Sequence, residues 1–276
     1  MTQSLPTTLA YYGKLPVRGD FVGRRLARET IGLWDDWLQQ SIARSREAVG
    51  AQWLDLYLVS PLWRFVLPAG LCGRTALAGI MMPSVDKVGR AFPLMLAAEL
   101  AELDPAAVLA GGQGWFAAIE DLALAALAED FALAQLDAPL APFAAGAVPA
   151  ARSAELGPIG LAMPWGGADD TRTLAEYGQG SDRSLWWTLG SERVSPVLVL
   201  ARGLPAPDGF AAFLDGDWAR HDWSLAAAPE ESAPDGTMPD GTMPDGAISE
   251  GTAPDAGTSG ASSALEAELL PWDREE

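Results

Sequence analysis

Cysteine and histidine are almost missing from this chain: its 276 residues contain one of each, Cys72 and His221. A lone cysteine cannot close an intramolecular disulfide, which suits a reducing compartment. Zinc sites of the Cys/His kind need three or four such ligands, so a single chain cannot build one. Positive charge is also short, with 18 Lys and Arg against 37 Asp and Glu and a net charge of −19. Binding a phosphate backbone needs a concentrated cationic surface, and this balance argues against nucleic acid as a partner. No uncharged apolar run reaches the roughly 18–20 residues needed to cross a bilayer, so membrane insertion is not expected. The first ten residues have neither a basic n-region nor an apolar h-region, and no secretory signal is expected from them. The chain reads as soluble and cytoplasmic.

What is abundant is apolar surface. Hydrophobic residues make up 49% of the chain, enough for a packed core and too many for a disordered polymer. The charge is unevenly spread: residues 1–100 hold 11 bases and 8 acids, whereas from Ser224 onward 12 acids face one base, Arg274. Over 233–257 the units APDGT, MPDGT, MPDGA, ISEGT and APDAG follow one another at a five-residue period. Pro, Gly and Asp supply turns and solvation but almost no burial. Such a segment cannot offset its ordering entropy and is expected to stay disordered. A short apolar stretch near the end, SALEAELLPW, is a candidate terminal helix. The expected division is a globular unit over 8–223 and an acidic tail over 224–276.

Within the globular unit, TLAYYGKL (8–15) has the extended, aromatic character of a strand, closed by Gly13 and Pro16. KLPVRGDFVGRRLAR follows as a loop with five bases and one acid. From Arg28 to Val49 the apolar positions Ile31, Trp34, Leu38, Ile42 and Val49 recur three, four or seven apart. That spacing predicts a helix with one buried stripe, stopped by Gly50. QWLDLYL adds a short helical turn before Pro61. WRFVL (63–67), ALAGIMM (76–82) and PLMLAA (93–98), separated by the turn-forming PAGLCGR and PSVDKVGR, predict an antiparallel meander. Asp104 and Pro105 suit an N-cap and first helical residue, and a second helix is expected over 115–128 with Trp115, Ile119 and Leu122 on one face. Residues 138–168, rich in Ala, Pro and Gly, read as a long irregular connection. SLWWTLG (184–190) and PVLVLARG (196–203) predict a hairpin turned by SERVS, and PAPDGFAAFL a last short helix. The fold class is therefore α+β, a mainly antiparallel sheet with packed helices; the late hairpin either joins that sheet or forms a subdomain.

Catalytic equipment is hard to find. Ser191 follows Gly190, but the G-x-S-x-G elbow is missing. His221 has Asp222 beside it, yet sequence neighbours point apart, so Asp222 is poorly placed to orient the ring. Gly111-Gly112-x-Gly114 lacks both the preceding strand of a dinucleotide fingerprint and the Gly-Lys-Ser/Thr of a P-loop, and reads as a hinge between helices. Asp35 and Asp36 read as the solvated side of a helix whose Trp34 and Trp37 pack. Ser84, Asp86, Lys87 and Arg90 gather a hydroxyl, a carboxylate and two cations in one turn. The group suits an anion or a protein edge, and equally an internal ion pair. Eleven tryptophans exceed ordinary usage several times over; most belong in a core, though Trp and Arg also anchor interfaces. No enzyme, metal or cofactor is implied. What remains is an aromatic-rich binding module.

Tyr12-Gly13-Lys14-Leu15-Pro16-x-Arg18-Gly19-Asp20-Phe21 resembles the opening signature of the TagF family, also called ImpM, accessory proteins of type VI secretion. Trp34-Asp35-x-Trp37-Leu38, Trp63-Arg64-Phe65, Met82-Pro83-Ser84-Val85-Asp86-x-Val88-Gly89-Arg90-x-Phe92-Pro93 and Ser184-Leu185-Trp186-Trp187 follow in the family's order, over about residues 8–215. The resemblance implies a cytoplasmic, post-translational repressor of the secretion machine of a Gram-negative bacterium. Its implied partner is a forkhead-associated (Fha) scaffold protein, alongside components of a threonine kinase/phosphatase pathway. Some relatives carry a fused metal-dependent phosphatase domain; none is expected in this chain. The expected partner-binding surface joins the basic loop (Lys14, Arg18, Asp20, Arg24, Arg25) to the turn holding Ser84, Asp86 and Arg90, with Trp63 and Arg64 as anchors. The competing reading makes the same motifs the corners of the sheet. The alternatives in function are a structural or assembly part of the apparatus, and a hydrolase with an unrecognised site.

Overall fold

A strand that is apolar at every position needs cover on both faces, and the centre of this protein is built that way. In the computed structural model, which describes residues 8–100, 105–140, 156–166 and 182–226, β3 (Trp63–Leu67) and β4 (Ala76–Met82) bury every residue, and β5 (Leu94–Leu100) all but Glu99. The three form the expected antiparallel meander, with Phe65 opposite Gly79 and Gly79 opposite Ala97. The other strands are β1 (Ala10–Gly13), β2 (Val22–Arg24), β6 (Leu161–Pro164), β7 (Arg183–Thr188), β8 (Val197–Arg202) and β9 (Ser224–Leu225). They line up as one sheet in the order β2-β1-β5-β4-β3-β7-β8-β6-β9. Every pairing is antiparallel except that of β6 with β9. The late hairpin thus belongs to the main sheet, joined where β7 pairs with β3.

One face carries α1 (Arg28–Val49), α2 (Trp53–Leu58) and α5 (Ala212–Asp215); the other carries α3 (Pro105–Gly111) and α4 (Gln113–Ala125). Trp34, Trp37 and Leu38 form the buried stripe of α1, as the spacing of its apolar residues requires. Gly50 ends that helix at φ 71°, a left-handed value that costs glycine nothing, and its N–H donates to the Arg46 carbonyl. Beneath α1, Trp186 lies 5.4 Å from the Trp37 ring and 5.2 Å from Phe65, joining helix to sheet through aromatic contacts. On the opposite face Phe116 meets Trp187 edge-on at 4.8 Å. Nine of the ten described tryptophans are buried and Trp218 is half-buried, so their excess serves the core.

Three expectations need correction. The basic loop contains β2, a three-residue strand that folds back on β1. The irregular stretch 138–168 contains β6, which exists because β8 supplies a partner at all four of its residues. Ser224 and Leu225, assigned to the tail, form β9. The Ser224 and Ala226 N–H groups donate to the carbonyls of Gly160 and Ala162. Pro105 does open α3, while Asp104, the acidic repeats and SALEAELLPW lie outside the described residues.

Cys72 is buried with its thiol directed at the Thr30 carbonyl, 3.8 Å away. Burial pushes its pKa up to about 12, leaving almost no thiolate near neutrality. Native protein is therefore expected to resist iodoacetamide at pH 8 and to react promptly in urea; equal rates in a mass-spectrometric time course would contradict this.

Candidate partner-binding site

The signature segments meet at one corner of the sheet. β1 ends at Gly13, whose φ of 144° and close approach to the Pro93 carbonyl leave no space for a Cβ, which would lie 2.2 Å from that oxygen. The chain then delivers Lys14 into the corner, where its ammonium lies 3.0 Å from Asp86 Oδ2 and 5.2 Å from the Phe21 ring centre. Asp86, itself buried, accepts from Lys14 Nζ, from Arg90 Nε at 2.6 Å, and from the backbone N–H groups of Val88 and Arg90. Burial alone would raise its carboxyl pKa. The Arg90 N–H, the Lys14 ammonium, the Arg90 guanidinium and the Val88 N–H outweigh that and hold it well below the usual carboxylate range. Ser84 Oγ donates to the Lys14 carbonyl at 2.8 Å, and the Tyr57 hydroxyl closes a reciprocal pair with the Ser84 backbone. Outside this knot, Arg90 Nη2 donates to the Gly19 carbonyl and the Lys87 N–H to that of Arg18, strapping the Arg18-Gly19-Asp20 turn to the β4–β5 connection.

The corner thus has an inside and an outside. Lys14, Ser84 and Asp86 are buried, so their expected contact with a partner is corrected: their polar atoms are satisfied within the fold. Arg18, Asp20, Lys87 and Arg90 remain exposed, together with Phe21 at 45% and Val88 at 71% exposure. Arg24 and Arg25 turn elsewhere. Both pair with Asp137, and Arg25 Nη1 also donates to the Leu9 carbonyl at 2.9 Å. Trp63 and Arg64 are corrected outright, because strand alternation sends them to opposite faces and both are buried. Trp63 packs against Phe213 of α5, ring centres 4.3 Å apart and planes tilted by 45°, with Nε1 donating to the Phe213 carbonyl. Arg64 reaches α4, giving Glu120 a two-pronged ion pair at 2.6 and 2.7 Å and donating to Gln113 Oε1 at 2.6 Å.

His221 pairs with Asp215, not Asp222: its Nε2 lies 2.8 Å from Asp215 Oδ2, tying the loop after α5 back to the helix end. Asp35 accepts from the Tyr12 hydroxyl at 3.0 Å, while Gly112 joins α3 to α4 as a hinge. Sequence reasoning missed the exposed apolar side chains of α2, Leu54 and Leu58, because QWLDLYL is apolar at nearly every position and too short to show which face is buried. Among the described residues, no three His, Cys, Asp or Glu side chains gather as a metal site would need, and no helix is long and apolar enough to cross a membrane.

The chain matches the TagF N-terminal domain, type VI secretion system-associated, over residues 10–143. It is also similar to PA0076 of Pseudomonas aeruginosa PAO1, a crystal structure at 2.05 Å resolution. The two are 34% identical, with a TM-score of 0.60 over 76% of this chain and 94% of that one. No curated protein matches it. An accessory protein of type VI secretion is the class that these likenesses define. The chain belongs to the TagF family.

Proposed function

We propose that the protein is a cytoplasmic, post-translational negative regulator of a type VI secretion system that acts by occupying a surface of the Fha scaffold protein. It does so in step with a threonine kinase/phosphatase pathway and makes or breaks no bonds itself. The observation that carries this reading is the corner where two family segments, separated by about seventy residues, pack together. Its inside is closed by mutual pairing, so Arg18, Asp20, Phe21, Lys87 and Val88 are held outward on a rigid base. Cations and an aromatic ring presented in this way are the residue types that anchor protein interfaces.

Two measurements test the proposal. Deletion of the gene is expected to raise secretion of the needle protein; loss of secretion would make the chain a required part of the apparatus. Arg18→Glu should weaken Fha binding by about tenfold in titration calorimetry without shifting the urea midpoint, since the side chain supports nothing inside the corner. Unchanged affinity would remove Arg18 from the contact.

A further inference from the structure

Beside the corner, α2 presents an unusual outer side. Its Trp53 and Tyr57 are buried, yet Leu54 and Leu58, four residues apart on the solvent side, are 46% and 51% exposed, and Val59 follows them. A helix apolar on both sides has one side awaiting cover. Next to it runs an open groove of about 590 Å³, with Arg46, Gly50, Ala51, Trp53 and Leu54 on one wall and Gly89, Arg90 and Ala91 on the other. Glycine and alanine along both walls leave room for another chain's side chains. Arg46 sits over Trp53 with its Cζ 4.2 Å from the ring centre, and among the described residues it makes no ion pair. Arg90 keeps 62% of its side chain in solvent despite Asp86. Asp55 is exposed on α2 too, but one residue from Leu54 it points about 100° away around the helix.

We infer that this groove is the seat of an acidic, leucine-bearing helical segment of the partner protein, and for the partner's identity the inference rests on the regulatory reading above. Leucines spaced by one turn cover Leu54 and, one turn along α2, Leu58, while carboxylates on the helix flanks meet Arg46 and Arg90. Charge complementarity selects the occupant. A basic amphipathic helix would match the apolar strip and be repelled by the groove's arginines.

The test uses the full chain and two probes: purified Fha, and a synthetic amphipathic helix of about 14 residues built from Leu and Glu, with a Leu/Lys version as its counterpart. In calorimetry, Arg46→Glu and Leu54→Asp should each weaken Fha binding by about tenfold or more, whereas Leu124→Asp, an equally exposed site on α4 across the sheet, should not. Thermal melts of all three variants confirm the fold. If Fha binds the wild type and the groove variants alike, the groove assignment is overturned and the Fha reading stands. If Fha fails to bind the wild type, the Fha reading falls and the peptides decide the groove. Amide shifts at Leu54, Gly89 and Ala91 with the Leu/Glu helix, absent with Leu/Lys and in Leu54→Asp, uphold it. No shifts, or equal shifts with both peptides, overturn it.

Discussion

Arg64→Met will lower the stability of the folded protein by about 3 kcal/mol, and adding Glu120→Leu to it will recover part of the loss. Arg64 is the second residue of β3, with its side chain buried against α4. Its guanidinium is satisfied there because Gln113 and Glu120, seven residues apart, lie on one side of that helix and accept three hydrogen bonds from it. Removing the cation alone leaves a mostly buried carboxylate without its counter-charge. Removing both exchanges an ion pair for apolar packing against Phe116, over whose ring Arg64 now sits at 5.6 Å. Urea unfolding of the two variants measures the difference; a double variant as unstable as the single one would assign the cost to packing and not to the orphaned charge.

Asp86→Asn will loosen the whole corner, lowering the urea midpoint by about 1 M near neutral pH. The amide can still accept from the Val88 and Arg90 N–H groups, but it leaves the buried Lys14 ammonium without a counter-charge. The pH dependence has a definite sign. Asp86 has its carboxyl pKa depressed by folding, so its contribution is complete above the unfolded value near 3.9 and declines as pH falls toward the folded value. The gap between wild type and Asp86→Asn should therefore be constant from pH 6 to about pH 8 and narrow below about pH 4. A gap that stayed constant into acid would show that the amide disrupts the corner sterically. Because Arg90 and the Arg18 turn hang from the same knot, the variant should also lose Fha affinity; retained affinity would separate partner contact from this corner.

The elements most legible in the sequence were those whose stability is local or whose burial is uniform. Helix α1 announces itself through Trp34, Leu38 and Ile42 and through Gly50, and the all-apolar runs of β3, β4 and β5 leave few alternatives to a central sheet. By contrast, β6 holds four residues, ends in Pro164, and sits among glycines; its partners β8 and β9, each more than thirty positions away, make it a strand. The same limit applied to the corner. Its segments stood out as motifs, but residue type could not say that Lys14 and Asp86 would neutralise each other inside while Arg18 stayed outside. That assignment depends on Gly13 bringing β1 against Pro93, a contact between distant stretches of chain. Arg64 misled for a related reason: an arginine flanked by aromatics has the composition of an interface anchor, and only the docking of α4 supplies its acceptors.

The two-residue strand β9 is the last rung of the sheet and the point from which the chain departs toward residue 227. Only two positions hold it to the sheet, Ser224 against Leu161 and Leu225 against Ala162, so fraying that begins there opens this rung before it reaches β8 or the aromatic layer. Loss of β9 alone would leave the four pairs of β6 with β8, and the interior behind them, in place.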